Sequence, residues 1–116
     1  MSDSSLVLEW LRYSHNDLIS ARHLFDDLHP KQTEIACYLS QQCAEKALKG
    51  YLLFKDNEPP RTHNLVELCQ MCINLDVSFS EILDLFGNPI GSLSSLAFFR
   101  AKALQKCVFK RNLFGN

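Results

Sequence analysis

A small set of polar residues has the side-chain types and the spacing to bind a phosphate-bearing ligand. The set comprises Asp17, Gln42, Glu45, Lys46, Lys49, Arg61 and His63. The members between residues 42 and 49 recur at helical spacing, which places them on one stripe of a helix. Ammonium, guanidinium and imidazolium groups bind phosphate oxygens, and carboxylates hold such cations in position. The set therefore predicts binding of a phosphate-bearing ligand, with Asp17 and Glu45 orienting the cations.

The plainest alternative for this stripe is a solvated helix face, on which Glu45 and Lys49 form an ordinary pair worth about 0.3–0.5 kcal/mol. Two features favour the binding site instead. Asp17 falls within the apolar arc of the preceding helix, where a carboxylate needs a cationic partner, and Lys46 is the candidate. Residues 61–64 also lead into a helix, whose first backbone N–H groups favour anions.

Helices must position these residues, because only four glycines and four prolines occur and apolar residues recur at helical spacing. The pattern predicts a first helix that ends before Pro30, a second that ends before Pro59, and a third that Asn64 and Glu67 start as a capping-box pair. The predicted bounds are 6–28, 32–54 and 64–75, with a short helix over 80–86 and a last one over 94–109. These elements predict an all-α fold, an up-and-down bundle of four to five helices.

The second predicted helix also carries a stripe of small residues, which lets another helix approach closely. The stripe holds Ala36, Ser40, Cys43, Ala47 and Gly50. A non-catalytic structural dimer or adaptor that uses this stripe as its contact is one alternative function.

Five cysteines lie inside apolar helical patterns, and we expect them to be reduced and buried. The pair Cys69-x-x-Cys72 shares a helix face with Leu65 and Leu68, which favours core packing over redox or zinc chemistry. No metal and no cofactor is predicted. No apolar run approaches the roughly 18 residues of a membrane span, and no secretory signal is recognisable. The expected location is the cytoplasm, without membrane contact.

Charge is distributed unevenly along the chain. Residues 1–84 contain 13 acidic and 7 basic residues, whereas residues 85–116 contain no acidic residue and five basic ones. The basic end is a candidate for contact with a polyanion, or it packs against the acidic body of the same molecule. The predicted division is a helical core over residues 1–85 and a basic helix over 86–116 that packs on the same domain.

The chain resembles the HEPN domain (higher eukaryotes and prokaryotes nucleotide-binding) over roughly residues 8–85. The resemblance rests on a helix with the pattern Gln-x-x-Glu-Lys-x-x-Lys at residues 42–49, followed by Pro-Pro-Arg-Thr-His-Asn-Leu at residues 59–65. The pattern Ser14-x-x-Asp17-Leu18-x-x-Ala21 in the first helix also fits. The family's recurrent polar positions correspond here to Asp17, Gln42, Glu45, Lys46, Lys49 and His63.

The resemblance implies a helical bundle that forms a homodimer, with a minimal nucleotidyltransferase as the possible partner in a toxin–antitoxin type of pair. Ribonuclease members of the family use an Arg-x(4–6)-His motif on a late helix. No histidine follows His63 in this chain, so that motif is absent, and residues 86–116 depart from the family pattern. The prediction is a dimeric module that binds a nucleotide or an RNA phosphate, with enzymatic activity left open. The alternative is a metal-independent ribonuclease toxin, for which His63 is the candidate catalytic imidazole.

Overall fold

A computed structural model describes residues 4–80 of the chain as an all-helical structure. It contains α1 (Ser4–Arg22), which continues into a π-helical turn (His23–Asp27), then α2 (Thr33–Phe54), α3 (Leu65–Leu75) and a 3₁₀ turn (Val77–Phe79). The all-α prediction is confirmed, and the three long helices lie close to their predicted bounds. Apart from Ser80, the predicted helices over 80–86 and 94–109 and the basic segment 86–116 lie outside the described residues.

Helices α1 and α2 pack antiparallel along the stripe of small residues on α2. Gly50 lies against Leu11 near one end of the contact, and Cys43 packs with Leu18 near the other. A Cβ atom built on Gly50 would stand 3.1 Å from Leu11 Cδ2 and 3.2 Å from Trp10 Cβ, so a larger residue would require the neighbouring atoms to shift. Ser14, fully buried in the same interface, donates its hydroxyl proton to the Cys43 carbonyl oxygen at 2.7 Å.

The small-residue stripe is therefore used inside the molecule. All five of its members, Ala36, Ser40, Cys43, Ala47 and Gly50, are buried. The prediction of a close helix approach is confirmed. Because all five residues are already buried within one copy, the stripe does not supply a contact between two copies.

The other side of α2 forms the main core with α3 and the 3₁₀ turn. Leu48 and Tyr51 are buried there against Leu68 and Phe79, and the Tyr51 and Phe79 rings lie 4.7 Å apart between centroids. The residues of the Cys-x-x-Cys pair are both fully buried, so the prediction of core packing is confirmed. None of the helices in the described part of the chain is long and apolar enough to cross a membrane.

The connection between α2 and α3, residues 55–64, runs back along α2. Asp56 takes a left-handed conformation with φ of 61°, and the N–H groups of Asp56 and Asn57 bond carbonyl oxygens in the last turn of α2. These two bonds close the helix in the Schellman pattern and turn the chain around. As a result, His63 reaches Glu45, which lies roughly two and a half turns before the carboxyl end of α2.

The start of α3 fixes the residues on both sides of His63. Asn64 caps the helix, as predicted, by accepting the N–H groups of Val66 and Glu67 at 2.9 and 3.2 Å. The capping-box prediction is wrong in its second half, because Glu67 accepts the Thr62 hydroxyl proton at 2.7 Å instead of the Asn64 N–H. Thr62 Oγ1 in turn accepts that N–H at 3.1 Å.

Candidate functional site

The polar stripe of α2 faces inward over much of its length. At about 100° per residue, Glu45 and Lys46 stand at the two edges of an arc, with Gln42 and Lys49 between them. Glu45 is only 4% exposed and Lys49 only 6%. The solvated-face alternative is therefore wrong for these two residues, and their ion pair is a buried one.

The buried Glu45 carboxylate brings two cationic residue types together on one oxygen atom. Its Oε2 accepts Lys49 Nζ from one turn along α2 at 3.0 Å, and it lies 2.9 Å from His63 Nδ1 of the connection. The other oxygen, Oε1, is buried and has no hydrogen-bond partner among residues 4–80. Burying a carboxylate oxygen without a donor is unfavourable, so this atom is a candidate acceptor for a ligand hydrogen bond.

The opposite edge of the stripe meets α1. Lys46 Nζ donates to Asp17 Oδ2 at 2.6 Å, and both side chains are largely covered, with 28% and 18% of their areas exposed. The predicted Asp17–Lys46 pair is thus confirmed. It fixes the ammonium group of Lys46 between the two helices while leaving part of it open to solvent.

The connection contributes Arg61 and His63 to the outside of the cluster. Both are exposed, and 78% of the His63 side chain is accessible although its Nδ1 faces Glu45. Among residues 4–80, no carboxylate pairs with Arg61. Gln42 is half-buried on the same stripe. Among the described residues, side-chain contacts bring together two groups from the sequence-predicted set: Asp17 with Lys46, and Glu45 with Lys49 and His63.

Thr62 is the residue that sequence reasoning missed. Its hydroxyl links Asn64 to Glu67 and so holds the residue next to His63 in place. The available signal was a threonine two positions before a helix-capping asparagine.

Chemically, the cluster offers cations for an anion and an imidazole oriented by a carboxylate. A hydrogen bond to one ring nitrogen fixes the orientation of an imidazole and determines which nitrogen faces a ligand. In the part of the chain that the structure describes, no group of three or more histidine, cysteine, aspartate or glutamate residues could hold a metal ion.

A comparison with protein families identifies the family of the chain. The model of the HEPN domain matches residues 7–105, most of the chain. This chain belongs to the HEPN domain family. The HEPN match includes α1, α2 and α3 and extends beyond the described residues. Neither a curated protein nor a solved structure shows a significant similarity to the chain. Membership of the HEPN family makes the chain a nucleotide- or RNA-related module.

Proposed function

We propose that this chain is a HEPN module that binds the phosphate of a nucleotide or of RNA at the polar stripe of α2. The ligand contacts are Lys46, Lys49, Arg61 and His63, with Gln42 beside them. Asp17 and Glu45 hold the lysines and the imidazole in position rather than contacting phosphate.

The observation that carries this proposal is the inward orientation of the charged stripe. Removing Glu45 and Lys49 from water is expensive, and a buried ion pair adds little net stability compared with apolar residues of the same size. Folding alone does not require charges here. A charged cluster retained at such a cost is a candidate for a ligand site, particularly where exposed cations border it.

The cationic side chains differ in how exposed they are to an incoming phosphate. Arg61 is exposed and is free of a carboxylate within the described residues, so it can form a two-pronged contact without losing an existing ion pair. Lys46 is partly exposed and shares its charge with Asp17. Lys49 is nearly covered, and its main effect is to hold the Glu45 carboxylate in place. Arg61 and the outer face of His63 are therefore the first contacts for an incoming anion.

The direct test is isothermal titration calorimetry of the full chain with ATP, GTP and a short single-stranded RNA. Saturable binding that weakens with salt is expected, since phosphate contacts release counterions. The absence of saturable binding to all of these ligands, together with unchanged behaviour of Lys46→Ala, refutes the proposal.

The proposal includes a homodimer in the cytoplasm and a minimal nucleotidyltransferase as a partner in a toxin–antitoxin type of pair. The family resemblance supports both partners. Since the small-residue stripe is buried within one copy, the contact between copies lies on another face. Sedimentation at micromolar concentration tests the dimer, and a stable monomer contradicts it. Co-purification with a co-expressed neighbouring nucleotidyltransferase tests the second partner.

A second function, ribonuclease activity, is favoured by one observation. His63 is exposed while its Nδ1 lies 2.9 Å from the buried Glu45 carboxylate, and a base held by a third group is a recurrent arrangement in catalysis. With Nδ1 bonded to Glu45, the Nε2 atom of His63 is available to accept the proton of an RNA 2′-hydroxyl. Arg61, two residues earlier, supplies a charge for the phosphate.

The ribonuclease candidate is tested with a labelled RNA and the variants His63→Ala and Arg61→Ala, without added metal. Cleavage that disappears in both variants supports it. Cleavage that survives His63→Ala eliminates His63 as the catalytic imidazole, and no cleavage by the unaltered protein leaves the binding module as the function.

A further inference from the structure

We infer that Glu45 Oε1 accepts a hydrogen bond from a ribose 2′-hydroxyl of the ligand, so that the site selects ribonucleotides over deoxyribonucleotides. This inference rests on the proposed function and names the ligand class that the site takes. It is carried by the one buried side-chain oxygen among the described residues that has no hydrogen-bond partner.

The group that meets Oε1 must be a donor. Glu45 is 4% exposed, and its other oxygen already accepts Lys49 and lies against His63. A deprotonated phosphate oxygen does not suit this position, because it has no proton to donate and would repel the carboxylate. The cations at the edges of the stripe suit the phosphate, and Oε1 suits a neutral donor elsewhere on the same molecule.

A single free oxygen also distinguishes between kinds of donor. Guanine presents two adjacent N–H groups, which pair with both oxygens of a carboxylate, and Glu45 Oε2 is already engaged by Lys49. A ribose hydroxyl needs only one acceptor. The 2′-hydroxyl is the group by which a protein distinguishes RNA from DNA at a given site.

The position of Glu45 beneath His63 provides a route to the carboxylate. The imidazole is 78% exposed, and its Nδ1 lies 2.9 Å from Oε2 of the same carboxylate. Exposed side chains change rotamer within picoseconds to nanoseconds, so His63 can turn away from Glu45 without movement of the helices. A bound ribose then lies between the buried carboxylate and the exposed cations.

The experiment is isothermal titration calorimetry of the full chain with AMP, 2′-deoxy-AMP and 2′-fluoro-2′-deoxy-AMP. GMP, 2′-deoxy-GMP and inorganic phosphate complete the ligand set. AMP is expected to bind roughly ten- to a hundredfold more tightly than its two analogues, the range for losing a hydrogen bond to a charged group. The fluoro analogue matters because fluorine fills the space of the hydroxyl but donates no proton.

A double variant, Glu45→Leu with Lys49→Met, removes the acceptor and its buried cation together, which avoids leaving a lone charge in the core. It is expected to bind AMP and 2′-deoxy-AMP equally, while His63→Ala retains the preference because Glu45 remains. Equal binding of AMP and its analogues by the unaltered chain overturns the inference but leaves phosphate binding intact. A preference for GMP regardless of the sugar also overturns it. Failure of every phosphate-bearing ligand to bind refutes the proposed function itself.

Discussion

His63 Nδ1 lies 2.9 Å from Glu45 Oε2, so an exposed imidazole on a connection is held by a carboxylate buried in the middle of a helix. The Schellman turn after α2 and the Asn64 cap of α3 bring the two residues together from 18 positions apart. Because Lys49 bonds the same oxygen, the orientation of the imidazole and the burial of the lysine depend on one carboxylate. Changes at Glu45 therefore affect both stability and ligand binding.

Replacing Glu45 by alanine is expected to destabilise the protein by about 3–5 kcal/mol, because the Lys49 ammonium then lies buried without a counterion. Urea unfolding followed by circular dichroism measures the change. Asp26→Ala is the matched control, since Arg22 and Asp26 have the same i, i+4 spacing with side chains 69% and 52% exposed. The control should change stability by less than about 0.5 kcal/mol. Equal effects of the two variants contradict the buried ion pair.

Replacing Glu45 by leucine and Lys49 by methionine together is expected to leave the free energy of unfolding unchanged or to raise it by about 1–4 kcal/mol. The physical reason is that apolar side chains of similar volume avoid the desolvation of two charges. The same urea series measures it. A double variant as unstable as Glu45→Ala shows that the pair is needed for folding, which removes the main argument for a ligand site.

Gly50→Ala is expected to destabilise the protein by about 1 kcal/mol, although alanine normally favours a helix over glycine by about 0.5–1 kcal/mol. The added methyl would stand 3.2 Å from Trp10 Cβ, which is bonded directly to the backbone of α1 and cannot rotate away. Thermal unfolding provides the measurement, and Gly50→Leu should lower the midpoint much further. An increase in the midpoint for Gly50→Ala means that α1 and α2 are less close than described.

Asn64→Ala is expected to cost about 1 kcal/mol of stability, because two N–H groups at the start of α3 lose their acceptor. Asn64→Asp keeps an acceptor oxygen and should stay within about 0.5 kcal/mol of the unaltered protein. Chemical unfolding of both variants tests the cap. Because His63 is the preceding residue, we also expect Asn64→Ala to weaken nucleotide binding. Unchanged binding would show that the Asn64 cap does not hold the binding site in place.

Arg61→Ala is expected to weaken binding of single-stranded RNA about tenfold and to reduce the slope of log K against log salt by roughly 0.7, the loss of one phosphate contact. Fluorescence anisotropy over a salt series measures both quantities. Arg12→Ala is the matched control, because Arg12 is also exposed but lies on α1 beside Tyr13. Indistinguishable slopes for the two variants place Arg61 outside the site.

The local pattern of the sequence determined the helices, because apolar spacing, prolines and capping residues act over only a few positions. The bounds of α2 and the Asn64 cap were predictable in this way. The stripe of small residues predicted a close helix approach for the same reason. The Asp17–Lys46 pair was also predictable, since a carboxylate inside an apolar arc requires a cation and few were within reach.

Only the tertiary structure decided which way the charged stripe of α2 faces and what it meets. The spacing of Glu45 and Lys49 is the same in a solvated pair and in a buried pair. Their burial depends on how other segments pack against α2. In the same way, the stripe of small residues could have packed within the molecule or against a second copy, and only the tertiary structure shows which. Residues 55–64 return to Glu45 through contacts between positions that are distant in sequence, which local periodicity does not encode. The same holds for Glu45 Oε1, which is buried without a partner among the described residues.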